Sequence, residues 1–120
     1  MSGSEGPREL PLIRDGRDLV SHDGKPVRAA GLYRAIPAPA KGAHSPGEAV
    51  DHALLVLDDG AEVFLESLGS ARARRPESER ARFDGRRVAM TGVAQAAMPM
   101  AKARLDAYCL SDVRDIAEQD

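Results

Sequence analysis

The stretch His52-Ala53-Leu54-Leu55-Val56-Leu57-Asp58-Asp59-Gly60-Ala61-Glu62-Val63-Phe64-Leu65-Glu66 carries the strongest local signal in the chain. Two short apolar runs flank Asp58-Asp59-Gly60, a tight-turn sequence that puts glycine where the backbone needs a positive φ. They predict two antiparallel strands, 52–57 and 62–66, joined as a hairpin. Leu54 to Leu57 is apolar without alternation, the pattern of a strand covered on both faces.

Downstream, Arg87 to Ala94 alternates: Val88, Met90, Gly92 and Ala94 fall on one face and Ala89, Thr91 and Val93 on the other, predicting a half-buried strand. Between it and the hairpin, Pro76 suits a first helical turn, Glu77 and Glu79 favour the positive helix start, and Gly85 suits the stop. A short helix is therefore expected over 76–83, with Phe83 as its anchor. A further strand is expected over 105–110, with Ser111–Ile116 continuing or capping it.

Upstream, the Asp23-Gly24 turn precedes a long strand, Pro26 to Ile36. Val27, Ala29 and Gly31 share one parity, Leu32 and Ile36 the other, and a bulge at Gly31 accounts for the switch. Residues 12–20 hold two apolar pairs around a turn and read as a lead-in that covers one end of the core. Pro37 to Asp51, with three Pro and two Gly, is a loop of about fifteen residues; such length in a small domain is usually functional or mobile. The expected organisation is a disordered tail at 1–11, one domain at 12–117 and an acidic tail at 118–120.

With 120 residues the chain suits one domain that buries roughly two-thirds of its unfolded surface. Tyr33, Phe64, Phe83 and Tyr108 are its four aromatics, and there is no Trp, so Ala, Val and Leu must fill the interior. The net charge of −2 does not make the whole molecule a trap for nucleic acid. The lone Cys109 allows no intramolecular disulfide, the N-terminus reads as lacking a secretion signal, and no apolar run approaches the roughly 20 residues that span a bilayer. A cytoplasmic protein without membrane contact is expected.

The order strand, strand, hairpin strand, short helix, strand, strand resembles the OB fold. The run Phe83-Asp84-Gly85-Arg86-Arg87-Val88-Ala89-Met90-Thr91-Gly92-Val93 looks like the helix exit and fourth strand of many OB domains, and Gly24-Lys25-Pro26-Val27 like the entry to the first strand. The expected fold class is mostly β: a small five-stranded OB-like barrel with one short helix between strands 3 and 4. Another small open β-barrel and an α+β sheet with one helix are the competing architectures. OB folds host oligonucleotide, oligosaccharide and protein ligands, so the resemblance does not choose among them.

Three sets of residues are candidates for binding. Tyr33 and Phe64 could stack bases, with Arg28, Arg34, Lys41, Lys102 and Arg104 along the rim of a groove; against this, a chain with four aromatics needs them in its core. Arg72, Arg74, Arg75, Arg80, Arg82, Arg86 and Arg87 could meet phosphates or an acidic partner, or form a solvated face paired with Glu77 and Glu79. Met98-Pro99-Met100 places flexible apolar side chains at a loop tip, where they either fold back or meet a partner. His22, His44, His52 and Cys109 lack metal-ligand spacing, and no nucleophile, phosphate-loop or Cys-His pattern is present. No catalytic residue, metal or cofactor is expected. The leading expectation is a non-catalytic module that binds a protein, including a second copy of itself, through loops 37–51 and 95–102; single-stranded nucleic acid, then a saccharide or small molecule, are the alternatives.

Overall fold

A computed structural model describes residues 10–36, 52–67, 70–99 and 104–119. In chain order the elements are β1 (Leu12–Ile13), α1 (Gly16–Ser21), β2 (Pro26–Ile36), β3 (His52–Val56), β4 (Glu62–Leu65), α2 (Glu77–Phe83), β5 (Arg87–Gln95), β6 (Met98–Pro99), β7 (Arg104–Leu105) and β8 (Tyr108–Glu118), with a 3-10 turn at Ala71–Ala73 before α2. β2 serves two neighbours within the barrel. Its first half runs antiparallel to β5, Pro26 opposite Val93 through Leu32 opposite Arg87; its second half runs antiparallel to β3, from Leu32 opposite Val56 to Ile36 opposite His52. β3 pairs antiparallel with β4, β4 parallel with β8, and β8 antiparallel with β5. That circuit is a closed five-stranded barrel, with β1 added parallel to the start of β2.

The glycines work differently from expectation. The registers of β2 are unbroken across Gly31, and Val27, Ala29 and Tyr33 all belong to the core, so no bulge lies there. Gly31 answers a steric demand instead: a Cβ would collide with the Val56 carbonyl oxygen. At Gly92 it would stand 2.6 Å from Leu110 Cγ and 2.9 Å from the Ser111 carbonyl. A barrel filled by small side chains brings its strands too close for a methyl at either place. The bulges sit in β8, where the register against β5 shifts between Ala89 and Thr91 and again between Thr91 and Val93. There Asp112 and Asp115 take left-handed φ values of 55° and 57°, a conformation aspartate tolerates better than most residues.

The interior is built from inward residues of all five strands, among them Val27, Leu55, Val63, Met90 and Leu110. Ile13 and Leu19 of the lead-in are wholly buried in the same cluster. Phe83 anchors α2 there, its ring 6.0 Å from that of Tyr33, and the chain turns away past the helix at Gly85, with φ 83°. The final strand starts later and runs longer than expected, so Glu118 closes β8 rather than opening a tail. The segment expected as loop 95–102 also carries β6, which pairs with β7.

The β3–β4 turn fastens the lead-in. Gly60 has φ 87°, and Asp59 accepts from the backbone N–H of Ala61 at 3.0 Å and of Gly16 at 3.1 Å. Those two donors hold the Asp59 carboxyl below the usual carboxylate range. A group with a depressed folded-state pKa stabilises above its unfolded value and loses that contribution as pH falls through the folded one. Wild type should therefore exceed Asp59→Asn in melting temperature at neutral pH, and the gap should narrow below about pH 4. A gap unchanged down to pH 2.5 would sink the assignment. Gly31→Ala should lower stability by about 2 kcal/mol or more, roughly 4 °C in melting temperature per kcal/mol, because backbone must move. A Gly31→Ala melt matching wild type would show that β2 and β3 separate without cost.

Candidate functional site

Two polar constellations stand out. The first is buried. Glu66 follows β4 with φ 78°, and its N–H donates to the Leu110 carbonyl at 2.8 Å, carrying the β4–β8 pairing one residue further. Its carboxylate accepts from the N–H of Val113 at 2.8 Å and of Asp112 at 3.1 Å, and from Arg72 Nε at 3.2 Å. Arg75 stands 3.9 Å from the same carboxylate and holds Glu79 with two hydrogen bonds, of 2.8 and 2.9 Å. Glu79 in turn accepts the Tyr33 hydroxyl at 2.7 Å. Burial first, and then this bond to Glu79, push the Tyr33 phenol well above its ordinary range.

This places most of the arginine cluster. Arg72 and Arg75 are counter-ions of buried Glu66 and part-buried Glu79, Arg80 donates to the Arg75 carbonyl, Arg82 lies 4.9 Å over the Phe83 ring, Arg86 pairs with Glu118 and Arg87 with Asp58. Arg74 is exposed. The seven do not converge on one concave surface: Arg75 and Arg82 border a hollow between α2 and β8, whereas Arg86 and Arg87 border another beside Glu118.

Tyr33 is wholly buried and faces the core, because β2 keeps its inward parity through that residue; its ring is not a stacking platform. Met98 is also wholly buried, folded back within the β6–β7 pair, so it offers no surface. Arg34 is exposed on the outer face of β2, opposite Leu54. Residues 37–51, Met100 and Lys102 lie outside the described residues, and Arg104 is described through its backbone pairing with Pro99. Cys109 is buried, and desolvation pushes its thiol up to about 11, far from a reactive thiolate. Among the described residues no group of three or more His, Cys, Asp or Glu is placed to hold a metal ion, and no helix is long and apolar enough to cross a membrane.

The second constellation is open. Phe64 lies on the outer face of β4, between Leu54 of β3 and Cys109 of β8 in register. A cleft of about 350 Å³ opens beside it, lined by Glu62, Phe64, Asp106, Ala107 and Tyr108. Leu54 and Cys109 are buried, which seats Phe64 in a closed row, and Tyr108 packs against the core with its ring beside Gly16. Sequence reading found Phe64 and missed its companions. Glu62 was legible, since residues two apart share a strand face. Tyr108 and Asp106 join only through the parallel β4–β8 pairing, which no local pattern announces.

No family model matches this chain, and neither a curated protein nor a solved structure matches it.

The buried chain makes a distinguishing forecast. Glu66→Ala leaves two backbone N–H groups and Arg72 Nε without their acceptor and should cost about 3–5 kcal/mol. Tyr33→Phe leaves Glu79 held by Arg75 and should cost only about 1 kcal/mol. Urea unfolding of both variants measures the difference; equal losses would mean that Glu66 does not close the β4–β8 seam.

Proposed function

We propose that this barrel is an OB-like binding module, not an enzyme, and that its ligand is a protein docked on the outer face of β3 and β4 beside the connections 37–51 and 95–102. The OB-like reading is supported by strand order. β5 returns beside β2 to give β5-β2-β3-β4, a Greek key, and β8 fills the remaining gap. In OB barrels the face of the second and third strands and the loops joining strands 1–2 and 4–5 are where ligands sit. Here those strands are β3 and β4. A single thiol, buried, makes no demand for an oxidising compartment, and a cytoplasmic location belongs to the same proposal.

The observation that carries the choice of ligand is the composition of the cleft on that face: the Phe64 ring with Glu62 and Asp106 at its described rim. A single-strand groove needs rings set among cations. Among the described residues the rim of Phe64 carries carboxylates that repel phosphate, while the other ring proposed for stacking, Tyr33, is in the core. A half-buried aromatic at a polar rim is a usual feature of a protein-binding centre.

A photo-crosslinking amino acid at position 64, with one at exposed position 17 as control, tests the reading in lysate of the source cells. The expected result is a discrete protein adduct from position 64 alone. Labelled single-stranded DNA or RNA should stay free at about 50 mM salt. A salt-sensitive complex with either strand that is lost in Phe64→Ala would replace the protein reading with the nucleic-acid one.

A further inference from the structure

We infer that the barrel is built on an internal repeat: α1-β2-β3 and α2-β5-β8 are two copies of one unit, and Asp23 and Asp84 are its equivalent clasps, fixing the two points where the chain leaves the β2–β5 ribbon.

The match begins in the sequence. Asp23-Gly24-Lys25-Pro26-Val27 and Asp84-Gly85-Arg86-Arg87-Val88 open β2 and β5, and at the same offset along the chain Gly31 matches Gly92 and Ala35 matches Ala96. Ahead of them the first residue of α1, Gly16, matches the first of α2, Glu77. Any antiparallel pair of strands has a local twofold axis. Here the sequence, the turns and the neighbouring strands obey the same axis. Ala29 and Met90 match at this offset and stand directly opposite each other, which puts the axis between them. Gly31 and Gly92 each pass too close to the next strand for a Cβ, which would meet the Val56 carbonyl of β3 and the Ser111 carbonyl of β8. Those strands run antiparallel to β2 and β5, with Val56 opposite Leu32 and Ser111 opposite Val93, the residues that follow the two glycines. Among the described residues β4 has no counterpart; it fills the gap between β3 and β8.

The axis also relates the hydrogen bonds at the two ends of the ribbon. Gly24, with φ 80°, donates its N–H to the Ala94 carbonyl at 2.7 Å, and Gly85, with φ 83°, donates to the Tyr33 carbonyl at 2.8 Å. The Lys25 carbonyl accepts from the Ala94 N–H at 3.0 Å, the Arg86 carbonyl from the Tyr33 N–H at 2.9 Å. The Lys25 and Arg86 N–H groups return to the helix ends, to the His22 and Phe83 carbonyls, both at 2.9 Å. Each aspartate then reaches two residues further along the opposite strand. Asp23 accepts from the Ala96 N–H at 2.7 Å and Asp84 from the Ala35 N–H at 2.8 Å. Glycine adopts the positive φ without steric cost, and a carboxylate accepting a backbone N–H makes a charge-assisted bond. The Asp-Gly pair therefore carries the ladder past its last main-chain pair at each end. β2 closes at Ile36 and β5 at Gln95, beside the clasped Ala35 and Ala96. The connections 37–51 and 95–102 of the docking proposal start from those points; the clasps stand without that proposal.

The test follows amide hydrogen exchange residue by residue, and thermal melting, in the full chain and in its Asp23→Ala, Asp84→Ala and double variants. Both side chains are exposed, so the fold should survive each change. Asp23→Ala should speed exchange at Ala96 about fivefold or more and leave Ala35 at the wild-type rate; Asp84→Ala should do the reverse. The two melting temperatures should fall by equal amounts within error, and that of the double variant by their sum, because the clasps share no partner. Exchange that rises at both amides in each single variant, or at neither, would overturn the inference. So would a melting loss confined to one single variant, or a loss in the double variant well above the sum.

Discussion

The seam between β4 and β8 is short. Its parallel ladder holds three residue pairs, Val63–Tyr108 to Leu65–Leu110. Past it, Glu66 leaves the strand conformation at φ 78°, a distortion worth on the order of 1 kcal/mol or more, and continues the seam with its side chain. A carboxylate takes the place of peptide carbonyls in front of Asp112 and Val113. Such a buried anion would be costly alone. Arg72 and Arg75 compensate it, Glu79 fixes Arg75, and the Tyr33 hydroxyl completes the chain in the core. Barrel closure, the pose of α2 and the burial of the largest interior side chain thus depend on one charged group.

Seen from that chain, the basic segment 72–87 serves the structure more than the solvent. Arginine suits the task because its planar fork can hold two acceptors at once and stays charged when partly desolvated. The outer face of the barrel is a different surface. The outer face of β4, turned away from this arginine network, carries an aromatic and acidic composition opposite to that of the helix segment.

The amount of this that sequence reveals follows the range of each interaction. The hairpin at Asp58–Gly60, the alternation from Val88 to Ala94 and the anchor at Phe83 are local, and residues within a few positions of each other declare them. Gly31 shows a middle case: a glycine inside a strand signalled something special, yet whether it meant a bulge or a close crossing depended on Val56, 25 positions away. The true bulges at Asp112 and Asp115 were hidden because aspartate in that tail also reads as ordinary solvated charge. Phe64 was visible as a candidate, but Tyr108 and Asp106 reach it through a parallel pairing across 45 positions of chain for Val63 and Tyr108, beyond any periodicity.

Among the described residues, β8 beyond Leu110 pairs only with β5, which leaves a long strand with one side unoccupied by a neighbouring strand. An even, flat border of that kind templates association between molecules. Two left-handed aspartates three residues apart break its hydrogen-bonding rhythm and twist it, and the Glu66 carboxylate already takes the donors at 112 and 113. The same irregularities that let β8 wrap the barrel therefore deny a second molecule an even main-chain border along that side.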